Sequence, residues 1–161
     1  MATDQRVTEP TIVEWGFYGS AVLGGLVGGI LMGLVMDQVM GMMQAVGALY
    51  GQQSTAIGWF THLLHAVLFA FVFGFLVSFD SMLEHAERVL SNVTLGIAWG
   101  VFLWIAGAGI VMPLWLNWVG VSAPSIPALD PLSGLAHVLY GAVLGGVMSL
   151  VIRWTEPIDR A

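Results

Sequence analysis

Gly58–Phe79 reads GWFTHLLHAVLFAFVFGFLVSF, 22 residues without one Asp, Glu, Lys or Arg and with two histidines near its start. A helix rises about 1.5 Å per residue, so roughly 20 apolar residues cover the hydrocarbon layer of a bilayer. The stretch therefore predicts a membrane-crossing helix. Working outward, Trp15–Met36, Thr94–Trp118 and Leu132–Trp154 are apolar runs of similar length. The expectation is an all-α fold: an integral membrane four-helix bundle, built from two tandem helical hairpins, in one transmembrane domain over residues 1–161.

Composition closes off the other classes. Of the 161 residues 58% are hydrophobic and 9% charged, against roughly a quarter charged in a soluble domain. A water-soluble globule is excluded. Four Arg, no Lys and ten acids give a net charge of −6, so there is no basic surface for a phosphate backbone and no nucleic-acid partner is expected. The absence of Cys removes disulfides, iron–sulfur clusters and thiolate sites, leaving His, Met, carboxylate or backbone for any metal. An acidic, Lys-free chain also fits a high-salt host, where carboxylates keep exposed loops hydrated.

The polar residues place the connections. The first 14 residues hold Asp4, Arg6, Glu9 and Glu14 and are expected to be a polar tail, not a cleavable signal segment. Trp15 to Tyr50 as one helix would be about 54 Å long, too long for one crossing and too short for two. The first span is therefore expected to end near Met36 or Asp37, with Val39–Leu49 as a surface or re-entrant helix. Ser81 and Glu84 form a capping-box pattern that predicts a short helix between spans two and three. Asp130-Pro131 suits the N-cap and first turn of span four, and Pro113 withholds the bond to the carbonyl of Gly109, predicting a kink. Arg6, Arg88, Arg153 and Arg160 all fall on one side of a four-span chain. The positive-inside rule then makes both termini cytoplasmic in a multi-pass cell-membrane protein.

Sliding the chain by 75 residues lays His62-Leu63-Leu64-His65-Ala66 over His137-Val138-Leu139-Tyr140-Gly141, and by 76 lays Gly24, Gly33 and Met36 over Gly100, Gly109 and Met112. This predicts an internal repeat of two helix pairs about an axis along the membrane normal. Small residues also recur every four positions: Gly25, Gly29 and Gly33; Ala66, Ala70 and Gly74; Gly96 and Gly100; Gly141, Gly145 and Ser149. Such stripes let helix backbones approach closely in lipid.

Residues able to carry chemistry gather toward the outer half. His62 and His137 each stand four residues before a small-residue stripe and are expected to point into the packed seam. Haem b could be held by His62 and His137, one imidazole from each repeat. Copper could be held by His62 and His65 with Met36, Met40 or Met43, since imidazole and thioether suit Cu(I). A proton or small-solute path could use Asp37, His62, His65 and His137. Against these stands the structural reading, in which neutral imidazoles donate to carbonyls of neighbouring helices and the methionines pack as adaptable filler. No phosphate loop, dinucleotide fingerprint, zinc-helix motif or Ser/His/Asp order is present, so an enzyme is not indicated.

Four strings carry a likeness: Gly47-Ala48-Leu49-Tyr50-Gly51; Gly58-Trp59 with His62 and His65; Val111-Met112-Pro113-Leu114-Trp115-Leu116; and Gly134-Leu135-Ala136-His137-Val138-Leu139-Tyr140-Gly141. With them the chain, from about Gly24 to Val151, resembles an uncharacterised four-span membrane protein family of halophilic archaea, whose members often carry the label histidine kinase. The resemblance implies the membrane fold and a saline solvent, and supplies no catalytic residue or cofactor. A histidine kinase needs a long polar nucleotide-binding domain, and this sequence has none. The sequence thus reads as a structural or accessory subunit of a membrane assembly, partnered by lipid and by a homo-oligomer or another membrane protein. A haem or copper subunit and a solute or proton pathway stand as alternatives.

Overall fold

The computed structural model describes residues 12–155, and every regular element among them is helical. The tail residues Asp4, Arg6 and Glu9 and the terminal Arg160 lie outside the described residues. In chain order come α1 (Ile12–Gln38), α2 (Met43–Ala48), α3 (Thr55–Val77), α4 (Asp80–Glu87), α5 (Val89–Phe102), a π-helical segment (Leu103–Val111), α6 (Met112–Trp118) and α7 (Pro131–Thr155). Helix α1, helix α3, the continuous run Val89–Trp118 and helix α7 are each long and apolar enough to cross a membrane. The protein is a multi-pass integral membrane protein. Its apolar outer faces, such as Phe60, Leu64, Leu68, Phe71 and Phe75 along α3, are exposed and face lipid. Trp118 and Trp154 stand out at opposite ends with 83% and 89% of their surface free, as interfacial tryptophans do.

The two expected hairpins are packed pairs, α1 on α3 and α5 on α7, joined by α1 against α7. Around the bundle the order is α3, α1, α7, α5. Helix α1 can serve two neighbours because it carries two glycine faces. A Cβ on Gly24 would come within 2.7 Å of the Leu144 carbonyl oxygen and one on Gly28 within 2.9 Å of that of Tyr140, both on α7. Gly25 and Gly29 lie instead against Ala70 and Ala66 of α3. The α5–α7 seam is closer still, backbone on backbone: Gly96 meets the carbonyl of Gly141, Gly141 that of Gly96, Gly100 that of His137 and Gly145 that of Asn92. Lipid tails are as apolar as the helices, so such close contact is a main source of packing energy. Every small-residue stripe is consumed inside the chain.

Polar side chains pin this frame where no water can serve. Fully buried Asn92 donates from Nδ2 to the carbonyl of Gly145 at 3.0 Å, and fully buried Ser149 donates to that of Ala86 at 2.6 Å, tying α7 to α4. Tyr140 on α7 donates to the carbonyl of Ala66 on α3 at 2.6 Å. Helices α3 and α5 form no comparable seam. They are bridged by rings such as Phe73 and Trp99, 6.4 Å apart, beside a shallow groove.

Local ends follow local chemistry. The chain leaves α1 through Gly41 at φ 63°, and Met42 donates back to the carbonyl of Met36 at 2.8 Å, a glycine-assisted helix stop. Asp130 caps α7 as expected, its Oδ1 accepting from the amide of Ser133 at 2.8 Å with Pro131 in the first turn. The short helix α4 forms, but not through the capping box. Phe79 occupies the N-cap, no side chain caps it, and Ser81 lies exposed within the helix. The segment expected at the surface, Val39–Leu49, holds α2, which buries Met43, Val46, Gly47 and Ala48 and packs on α3 where Gly58 meets the carbonyl of Met43.

Candidate functional site: an intramembrane cavity

The seams that close one half of the bundle leave the other half open. At the end bearing α2 and the 119–130 connection, here the loop end, a cavity of about 880 Å³ lies between α1, α2, α3, the π-helical segment, α6 and α7. Pro113 shapes one wall. Having no N–H, it cannot reach the carbonyl of Gly109 four residues back, and that carbonyl instead accepts from the amide of Ala128 at 2.9 Å. The preceding turns widen to the π form, Met112 bonding to Gly107 five residues back. The kink expected at Pro113 is thus realised as a widened segment with the connection stitched onto it. π-helical turns recur at functional sites because they displace side chains from the α-helical register.

The cavity gathers most of the candidate residues. Met36, Met40, His62, His65 and His137 all line it, together with Met32, Met42 and Met112. Asp37 does not. Its Oδ2 accepts from Trp59 Nε1 at 3.1 Å and from Gln38 at 2.8 Å, at the end of α1. Met43 does not either, being buried on α2. Ser122, Ser125 and Ser133 give the lining a polar part toward the loop end, with Asp130 beside them. Toward the opposite end, here the terminal end, the packed core holds Ala70, Phe73, Leu144 and Met148, each at most 3% exposed.

Each imidazole is held by a defined partner. His62 is buried, and its Nε2 donates to the carbonyl of Gly29 on α1 at 2.9 Å. A Cβ added to Gly33 would meet Cδ2 of the same ring at 3.1 Å. The Nε2–Cδ2 edge therefore lies on α1 and the Nδ1–Cε1 edge is turned away from it. His137 donates from Nδ1 to the carbonyl of Ser133 on its own helix at 2.7 Å, which leaves Nε2 as a bare acceptor. His65 shares a 2.6 Å bond between its Nε2 and the hydroxyl of Tyr50, inside an aromatic group with Trp115 and Phe69.

These bonds bear on each chemistry weighed from the sequence. An axial haem pair of His62 and His137 would share one cavity, yet Nε2 of His62 is committed to Gly29. For the copper set, His62, Met36 and Met40 share the cavity with His65, whose Nε2 is taken by Tyr50. Of the path residues, Asp37 stands apart from the three histidines. Among the described residues no three His, Asp or Glu side chains converge as a metal-holding group. Sequence reading passed over Tyr140 and Met112 as site residues. Both enter the sequence reading as matches in the repeat and as members of the quoted strings, not as site residues, whereas both line the cavity. A search for polar or sulfur-bearing residues one turn from each histidine or beside Pro113 would have found them.

Comparison with protein-family models, with curated proteins and with solved structures gives no match.

Proposed function

We propose that the protein is an accessory subunit of a membrane assembly whose working part is the loop-end cavity, a binding site for one small ligand. The carrying observation is that imidazoles from two helices, His62 and His65 on α3 and His137 on α7, open onto one cavity of about 880 Å³. A volume of that order suits a small molecule, and a mostly apolar wall with a few placed polar groups is the usual make-up of such sites. Binding is favoured over passage by the packed core of Phe73, Leu144 and Met148 toward the terminal end, which offers no polar route onward. Arg88 and Arg153 both stand exposed at the terminal end, which supports cytoplasmic termini and an outward-facing cavity.

Native mass spectrometry of protein released gently from its own membrane tests the reading. A bound small molecule is expected on the wild type and not on Ala108→Phe, which places a ring in the cavity. Equal ligand-free spectra for both, with no stabilisation by any added small molecule, would overturn it. Orientation has its own test, because the native chain has no Cys. A membrane-impermeant maleimide added to whole cells should label Ser125→Cys and spare Ser81→Cys, and the reverse pattern would invert the topology.

A further inference from the structure

Resting on the binding reading, the nature of the ligand follows from which atoms the cavity leaves bare. His62 and His137 each give one ring N–H to a backbone carbonyl, Gly29 at 2.9 Å and Ser133 at 2.7 Å. That fixes each tautomer and leaves one lone pair, on Nδ1 of His62 and on Nε2 of His137. Histidines that ligate metals almost always carry this second bond, which orients the ring and raises its basicity. The same cavity is walled by thioethers, Met32 and Met36 from α1, Met40 from the turn that follows it and Met112 from α6. Imidazole with thioether is a soft ligand set that selects Cu(I). Hard ligands are few: Asp37 is held outside the cavity by Trp59, and Asp130, the one carboxylate in the lining, is spent in part on capping α7. A monovalent ion also loses far less hydration energy than a divalent one on entering a low-dielectric site.

We propose that the cavity is a Cu(I) site in which Nδ1 of His62 and Nε2 of His137 ligate the ion and a thioether of the Met36–Met112 wall completes the set. The site holds the ion without changing its oxidation state.

The probes are Ag(I), a redox-inert analogue, and Cu(I) kept reduced, each titrated into full-length protein in detergent against a competing chelator. One ion per chain is expected, with affinity falling at least about tenfold in His137→Ala and in His62→Ala, and less in Met36→Leu. Because His62→Ala also removes the bond to Gly29, X-ray absorption of the wild type provides a readout independent of folding. Mixed nitrogen and sulfur ligation supports the assignment; nitrogen-only or sulfur-only ligation overturns it. Equal binding by wild type and His137→Ala, or equal preference for Zn(II), also overturns it. If metal fails to bind while native mass spectrometry still finds a ligand that Ala108→Phe excludes, only the copper assignment falls. If neither binds, the binding reading falls with it.

Discussion

Gly96 and Gly100 on α5 lie only a few residues before Gly107 in the same membrane crossing, yet the two places do opposite things. The first pair lets α5 sink onto α7 until glycine meets carbonyl. Around Gly107 the helix widens, and a Cβ there would find nothing within 4 Å, whereas Gly109, two residues on, is packed against Leu129. One crossing thus supplies both the closed half of the bundle and a wall of its cavity. The switch falls where Pro113 denies Gly109 its normal partner. Glycine content alone carries no meaning; the partner helix decides whether a glycine closes a seam or borders a space.

Substitutions can break this contrast. The largest effect is expected from Gly141→Ala or Gly96→Ala, whose new methyl would overlap backbone that cannot yield. A loss of about 3 kcal/mol or more, the upper range for overpacking, should leave little folded protein in a detergent unfolding titration. Gly107→Ala should shift the same titration by no more than about 1 kcal/mol, toward stability, because alanine favours helix and meets open space. Next comes Tyr140→Phe, which leaves the carbonyl of Ala66 without its side-chain donor; a loss of about 0.6 to 1.7 kcal/mol is expected, as for hydrogen bonds between membrane helices. The smallest effect on stability belongs to Pro113→Ala. Its restored N–H competes with Ala128 for the carbonyl of Gly109, so hydrogen exchange at the Ala128 amide should quicken while the unfolding midpoint stays close to wild type. Unchanged exchange would show that the stitch between the connection and the widened segment does not depend on the proline.

The crossings were legible in the sequence because four runs of about 20 apolar residues have one reasonable fate. Their ends were less so. Helix α5 starts at Val89 and not at Thr94, since Asn92, polar in any hydropathy profile, is fully buried with its amide on Gly145. A polar residue satisfied by a partner helix looks, from sequence alone, like a loop residue. The π-helical segment left no periodic trace, because a stretch apolar on all sides gives the same pattern at any residue-per-turn value. Only the missing donor of Pro113 hinted at it. At the site, four-residue spacing placed His62 and His137 toward the small-residue faces, and both reach the cavity. The exclusion of Asp37 was invisible, since it depends on Trp59 arriving from another helix to bond it. Met43 was likewise hidden, because the turn at Gly41 starts a new helix that carries it away from Met32, Met36 and Met40.

The central claim is a bundle sealed at the terminal end and hollow at the loop end. In a chain without native Cys, single substitutions on either side of the boundary report it directly: Ala108→Cys in the cavity wall and Met148→Cys in the core, each challenged in membrane vesicles with a small hydrophilic thiol reagent from either face. The account predicts that Ala108→Cys reacts from the loop face only and that Met148→Cys reacts from neither. Reaction of Ala108→Cys from the terminal face, or ready reaction of Met148→Cys, would contradict it.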